Sequence, residues 1–413
     1  MDPQNDIAAR QPEATPQQGW PLSGITVIDL SHVYNGPYAA FLMAMAGATV
    51  IKVEPLGGEH LRSRGDMGGA ALPFAMLNAN KQAVTLNLKT TPGKQLLKEM
   101  VARADILVEN FAPGVMDRLG VGAAVLQGIN PRLIYGSSSG YGKTGPYRDY
   151  PAMDLVMQAM SGIMSITGFP DQPPVKAGPA LCDFSAGIHL YAAIITALYE
   201  RERTGSGRVV EVAMQDAIYA AMASNLGMLH ARGAAAPSRT GNRHGGLGIS
   251  PYNVYKASDG HVVINAPGDQ HFRSILEVIG RSDLKDDPRF TTRFARVGNM
   301  LAVDELLGSW TARHPRDTIA EKLLAASVPC APVRELSEVI VDRNMHARGS
   351  LQWLDHPELG RIVLPHSPLR FEGTPLLPLQ ASAPLGSDNR RVFGDWLGHD
   401  DAELAELAKA GVI

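Results

Sequence analysis

An α/β fold, doubly wound and joined to a smaller α+β domain, is predicted by three observations. Short apolar runs rich in β-branched residues alternate with helical windows from residue 24 to residue 213, the pattern of strands buried on both faces. The first two runs flank a helix and so form a βαβ unit, which demands parallel pairing. Beyond Gly241 the alternation gives way to a hairpin followed by helices, which reads as a separate body.

Taken in order, Ile25-Thr-Val-Ile-Asp29 is a buried strand, followed by a turn over 31–37 and a helix over 38–46 that Gly47 ends. Thr49-Val-Ile-Lys-Val53 is the second strand, and the Gly-rich connection over 57–70 is expected to be mobile. Ala83-Val-Thr-Leu-Asn87 is a third strand. Helix 92–103, strand 105–108, helix 114–119 and strand 132–135 repeat the alternation. Helices follow at 154–164 and 184–203, and Arg208-Val-Val-Glu-Val-Ala213 closes the sheet. In the middle region, strands 251–256 and 261–264 flank Ala-Ser-Asp-Gly, and helices cover 272–279 and 300–313. The C-terminal part is Pro-rich, with a strand at 360–364 and an amphipathic helix at 401–410. The expected division is a loose tail over 1–20, a large domain from 21–225 and 333–413, and a linker plus small domain over 226–332.

The bulk numbers narrow the function. At 413 residues the chain is long enough for two domains. Its 38 Lys and Arg against 41 Asp and Glu leave a formal charge of −3, too balanced for a nucleic-acid or polybasic membrane surface. Two cysteines, Cys182 and Cys330, make no disulfide framework and suit a reducing, cytoplasmic compartment. The polar first twenty residues lack the apolar core of a signal peptide. The apolar helix around 190–199 reads as too short to cross a bilayer.

The run Ala177-Gly-Pro-Ala-Leu-Cys-Asp183 leads from an extended segment into a long apolar helix. A carboxylate at a helix amino end is held ionised by exposed N–H groups and the helix dipole, and can serve as a nucleophile. Asp is equally a preferred N-cap, and this window by itself admits both accounts. Other chemistries lack their residues. Glu54 after the second strand invites a dinucleotide reading, but the first turn, Ser31-His-Val-Tyr-Asn-Gly-Pro37, holds no G-x-G-x-x-G. Twelve scattered histidines, among them His32, His189 and His271, form no metal pattern. There is no G-x-S-x-G elbow, and Ser137-Ser-Ser-Gly140 is a strand end. Asp154, Asp183 and Gly245-Gly246-Leu-Gly248 remain, each with a plain account as a cap or a linker turn.

A resemblance adds to this. Gly36-Pro-Tyr-Ala39, Gly47-Ala-Thr-Val-Ile-Lys-Val-Glu54, Asn80-Lys81, Leu86-Asn-Leu-Lys89, Glu109-Asn-Phe-Ala-Pro-Gly114 and Asp117-Arg-Leu-Gly120 resemble the class III CoA-transferases, relatives of the α-methylacyl-CoA racemases. The likeness continues through Gly140-Tyr-Gly142, Asp183, Arg203-Thr-Gly-Ser-Gly207, Met214-Gln-Asp216 and Asp286-Asp-Pro-Arg-Phe290. Ser327-Val-Pro-Cys-Ala-Pro332 and Leu385-Gly-Ser-Asp-Asn389 carry it toward the C-terminus.

The resemblance implies a Rossmann-like large domain built from the N- and C-terminal parts, a smaller α+β domain and an interlocked homodimer. It implies that Asp183 is the catalytic carboxylate, acylated in turn as anhydride and CoA thioester, and that Gly245 and Gly246 form a lid, here shortened and interrupted by Leu247. It implies CoA contacts at His32, Val33, Leu86, Lys89, Asn110, Phe111, Arg118 and Met214, with Tyr34 and Asp154 on the substrate side. Lys89 and Arg118 suit CoA phosphates, though both also suit solvated surface. CoA is then a substrate rather than a resident cofactor, its partners being an acyl-CoA and a free carboxylic acid. Pro55 stands where relatives often have a phosphate-binding Arg, and Tyr34 where formyl-CoA transferase has Gln, against the formyl/oxalate pair. Racemases carry Gly-His-Asp where this chain has Ala152-Met153-Asp154, and a thioether cannot exchange a proton. A racemase and a non-catalytic CoA-thioester-binding protein are therefore the alternatives to transfer.

Overall fold

A computed structural model describes residues 19–63, 69 and 71–413. The tail expected over 1–20 lies outside the described residues up to position 18, as do 64–68 and 70 of the Gly-rich connection. The chain divides into two compact units. The first runs up to Pro151 and adds Asp183–Ala213 and Arg343–Ile413; the second comprises Ala152–Cys182 and Met214–Asp342.

The first unit is built on six parallel strands: β1 (Thr26–Asp29), β2 (Thr49–Glu54), β3 (Gln82–Thr85), β4 (Ile106–Glu109), β5 (Ile134–Ser139) and β6 (Val209–Ala213). Their order is β3-β2-β1-β4-β5-β6, which reverses direction between β1 and β4. Val27 of β1 pairs with Val50 on one side and Ile106 on the other. Apolar clusters cover both faces, one around Ile28, Val53, Leu97 and Phe393, the other around Val27, Met43, Ile134 and Leu190. That is why β1, β2 and β4 read as apolar runs rather than alternating ones.

The Leu181–Thr204 helix is 24 residues long, and its most apolar 18-residue window has a mean hydropathy of 1.5. By length and composition alone it could cross a membrane, which corrects the expectation that its apolar stretch is too short to do so. Leu190, Ile194, Ala197 and Leu198 of this helix are built into the core of the first unit. At the sheet edge, Ala83 N–H donates to Asp388 Oδ2 at 2.8 Å and Thr85 N–H to Asn389 Oδ1 at 2.9 Å. The C-terminal segment thereby satisfies donors that an open edge would expose.

The second unit holds an antiparallel sheet of β7 (Tyr252–Ala257), β8 (Gly260–Asn265) and β9 (Cys330–Pro332). Tyr255, Val262, Phe272, Leu307 and Ile319 form its core. Residues 152–182, 214–225 and 333–342, expected in the large domain, group with this unit. The Asp154–Ser161 and Met214–Tyr219 helices are tied together there, with Gln215 Nε2 donating to the Met160 carbonyl at 3.3 Å. The helix expected over 154–164 is two, Asp154–Ser161 and Ile163–Ile166, because Gly162 sits at φ 98° between them. A hairpin of β10 (Leu351–His356) and β11 (Gly360–Pro365) returns to the first unit, and only its second strand was anticipated.

Candidate active site

The reversal between β1 and β4 parts the chain at the carboxyl ends of the strands, where α/β sheets bind ligands. His32 N–H donates to Asn110 Oδ1 at 2.8 Å, and Asn110 Nδ2 donates to the His32 carbonyl at 2.9 Å. The His32 ring meets Phe111 edge-on, centroids 4.9 Å apart. Val33 is at φ 64°, a left-handed backbone that a β-branched residue adopts only under constraint. Its N–H donates to Glu59 Oε2 at 3.3 Å. Burial first, and Lys52 second, hold the His32 imidazolium down to about 4, so the ring is neutral at physiological pH.

Beneath this turn lies a buried charge cluster. Lys81 Nζ donates to Asp29 Oδ2 at 2.8 Å and to the Pro37 carbonyl at 3.0 Å. Lys52 Nζ stands 3.9 Å from the same carboxylate and donates to the Ser31 carbonyl. Burial would raise the Asp29 pKa, but Lys52 and Lys81 outweigh it and set it at about 2; burial lowers Lys81 to about 8 against the pull of Asp29. Glu54, the candidate ribose ligand of a dinucleotide enzyme, is instead paired with Arg62 at 2.9 Å and accepts the Glu59 N–H at 3.0 Å.

Two cavities open here. One, about 490 Å³, is lined by Leu30, His32, Glu54, Pro55, Leu86, Lys89 and Phe111 among others. Its wall is mostly apolar, suited to a flat heterocycle or a pantetheine arm. The second, about 330 Å³, is lined by Glu109, Phe111, Arg118, Tyr135, Ser137, Lys143 and Arg148 among others. Phe111 borders both, while Lys89 and Arg118 face different cavities. Arg118 folds back over Gly114, where a Cβ would lie 2.9 Å from its Nη1. Glu109, buried between Ser137 and Lys143, has its pKa raised by that burial.

Asp183 is the third residue of the Leu181–Thr204 helix, inside its first turn and half-buried. It stands beyond the position an N-cap takes, where the helix dipole favours the carboxylate. Phe184 stacks on Tyr34 at 5.9 Å and meets Tyr38 edge-on at 4.9 Å. One turn on, a Cβ at Gly187 would lie 2.6 Å from the Asn35 carbonyl. The helix therefore docks on the start of the Asn35–Met45 helix only with glycine at that place.

In the second unit, Asp154 Oδ1 accepts the Cys182 N–H at 2.9 Å and Oδ2 accepts from Gln158 Nε2 at 2.7 Å. The glycine loop is folded on His244: Leu247 N–H donates to its carbonyl at 2.8 Å, and its Nε2 lies 3.2 Å from Ser224 Oγ. A Cβ at Gly245 would lie 2.6 Å from Asn225 Oδ1. Met214 opens the Met214–Tyr219 helix and is buried. Sequence reasoning passed over Asp29, Glu59 and Gln158. For Gln158 the signal was its place four residues after Asp154, on the same helix face.

The model of CoA-transferase family III matches residues 22–389. The chain belongs to that family. It is 38% identical to the formyl-CoA:oxalate CoA-transferase of Streptomyces avermitilis, over 95% of this chain and 99% of that one. It is 40% identical to the acetyl-CoA:oxalate CoA-transferase of Acetobacter aceti, over 86% and 90%. Among solved structures, a CAIB/BAIF family protein from Brucella suis superposes with a TM-score of 0.80 at 34% identity, covering 92% of this chain and all of that one. As a class III CoA-transferase family member, the chain is an enzyme.

Proposed function

We propose that the protein moves CoA from an acyl-CoA donor to a free carboxylic acid through Asp183. The observation that carries the reading is a carboxylate in the first turn of the Leu181–Thr204 helix, in a chain matched by the family model across most of its length. Asp183 attacks the thioester carbonyl, the C–S bond breaks, and CoA leaves as thiolate from a mixed anhydride. The thiolate then attacks the aspartyl carbonyl, which forms an aspartyl-CoA thioester and releases the first acid. The incoming carboxylate attacks that thioester and expels the thiolate. Attack of thiolate on the new acyl carbonyl gives product and restores Asp183. Thioester energy stays on the enzyme throughout, and each tetrahedral stage needs backbone N–H donors. The Gly245–Gly246 loop is our candidate for shielding the anhydride from water.

CoA binds across the switch point, with Leu86, Lys89 and Phe111 at one cavity and Arg118 at the other. Met214 remains a proposed contact. Tyr34, which stands where formyl-CoA transferase has Gln and here stacks on Phe184, argues against formyl and oxalate as the pair. We further infer an interlocked homodimer: Ile188 and Tyr199 are 50% and 68% exposed on the long apolar helix. Both cysteines are free thiols, in keeping with a cytoplasmic site.

The test is to incubate the enzyme with a panel of acyl-CoAs and trap with hydroxylamine or borohydride. The peptide holding Asp183 should carry the label, and oxalate should be a poor acceptor. Asp183→Ala should abolish transfer with CoA affinity near that of the wild type. An Ala variant that transfers at the wild-type rate would overturn the mechanism.

A further inference from the structure

The segment delivering Asp183 is gathered by one buried amide. Gln158 is 1% exposed on the Asp154–Ser161 helix. Its Nε2 donates to the Pro179 carbonyl at 3.2 Å and to Asp154 Oδ2 at 2.7 Å, and its Oε1 accepts the Ala177 N–H at 2.9 Å. Asp154 passes the hold onward by accepting the Cys182 N–H. Backbone groups at 177, 179 and 182 are thus tied to side chains one helical turn apart. The segment has no strand to support it, and residues 171–176 are exposed.

The chemistry of the hold is specific to glutamine. Only an amide offers a donor to Asp154 and to a carbonyl while accepting an N–H. A carboxylate there would face Asp154 across 2.7 Å, and a leucine would take the partner from the part-buried Ala177 N–H and Pro179 carbonyl.

We infer that Gln158 is a positioning residue for the reaction: with Asp154 it sets the point at which the Leu181–Thr204 helix begins, and so the direction of the Asp183 carboxylate. This rests on the reading that Asp183 is acylated. It gives Asp154 a role through the backbone rather than through substrate.

The test compares wild type, Gln158→Leu and Gln158→Glu as full chains. Gln158→Leu should lower kcat about a hundredfold, the scale of a misdirected reacting group, with KM for acyl-CoA within about threefold. Hydroxylamine labelling of the Asp183 peptide should slow in parallel. Gln158→Glu regains its donor only when protonated, so its kcat relative to wild type should rise as pH falls from 8 to 6. A folded Gln158→Leu enzyme with wild-type kcat, or with its loss confined to KM, would overturn the inference. Should Gln158→Leu fail to fold, a flat kcat ratio for Gln158→Glu across that pH range would overturn it. Wild-type enzyme that never labels at Asp183 would sink the acylation reading itself; normal wild-type labelling with unaltered variants sinks only the role of Gln158.

Discussion

His32 and Asn110 clasp each other across the point where the sheet reverses, each giving one donor and one acceptor, at 2.8 and 2.9 Å. The pair closes the ends of β1 and β4 against one another and holds the His32 ring beside Phe111, the residue bordering both cavities. A ligand laid across the switch point therefore meets a wall already shaped.

Replacing Asn110 by Ala removes both bonds. Each is worth about 1 kcal/mol net, so stability should fall by about 2 kcal/mol in urea titration. The loosened wall should raise KM for acyl-CoA about tenfold, with a smaller change in kcat. Unchanged KM would mean that the clasp does not shape the CoA site.

His32 supplies a pH test. Its pKa is about 4 in the folded protein against 6.5 in its ordinary state, burial being the main cause and Lys52 the second. Between those values the unfolded chain binds more protons, so stability rises with pH there. The contribution is complete above 6.5 and lost as pH falls toward 4. The full span corresponds to about 3 kcal/mol. Urea midpoints at pH 7.5 and 5 should drop further for wild type than for His32→Gln. Equal drops would contradict the burial of the ring.

The parallel sheet was legible because its central strands are buried on both faces, so short runs such as 25–29 and 49–53 are mostly Val and Ile. The β10 strand escaped because Trp353 faces solvent, 47% exposed, and polar residues interrupt the run. Asp183 and the switch-point residues were legible through family motifs. What they touch was not. That Asp154 accepts an N–H 28 residues along, and that Lys89 and Arg118 face separate cavities, follow from tertiary packing that no local spacing encodes.

The Asp29–Lys81 pair beneath the turn offers a third test. Both side chains are at most 1% exposed. Lys81→Met leaves the carboxylate with Lys52 at 3.9 Å as its remaining cation, and removing one partner of a buried pair costs about 3–5 kcal/mol. Adding Asp29→Asn should recover part of the loss, because the uncompensated charge goes with it. Thermal melting of both single variants and the double decides this; a double variant as unstable as the sum of both singles would show that the two groups do not interact.

Gly187 couples docking to chemistry. A Cβ there would lie 2.6 Å from the Asn35 carbonyl and 3.3 Å from two atoms of the Tyr38 side chain. The nearest obstacle is backbone, and Asn35 is further held by Nδ2 donating to Ser138 Oγ at 2.9 Å, so it cannot swing aside. In Gly187→Ala the Leu181–Thr204 helix must lift by some tenths of an ångström. Overpacking of this kind costs about 1–3 kcal/mol, partly offset by the better helix propensity of Ala. Asp183 lies one turn earlier on the same helix and moves with it. Because displaced reacting groups lose rate steeply, kcat should fall about tenfold or more while KM for acyl-CoA stays close to that of wild type. Wild-type turnover in a destabilised Gly187→Ala enzyme would show that Asp183 tolerates movement of the helix that carries it.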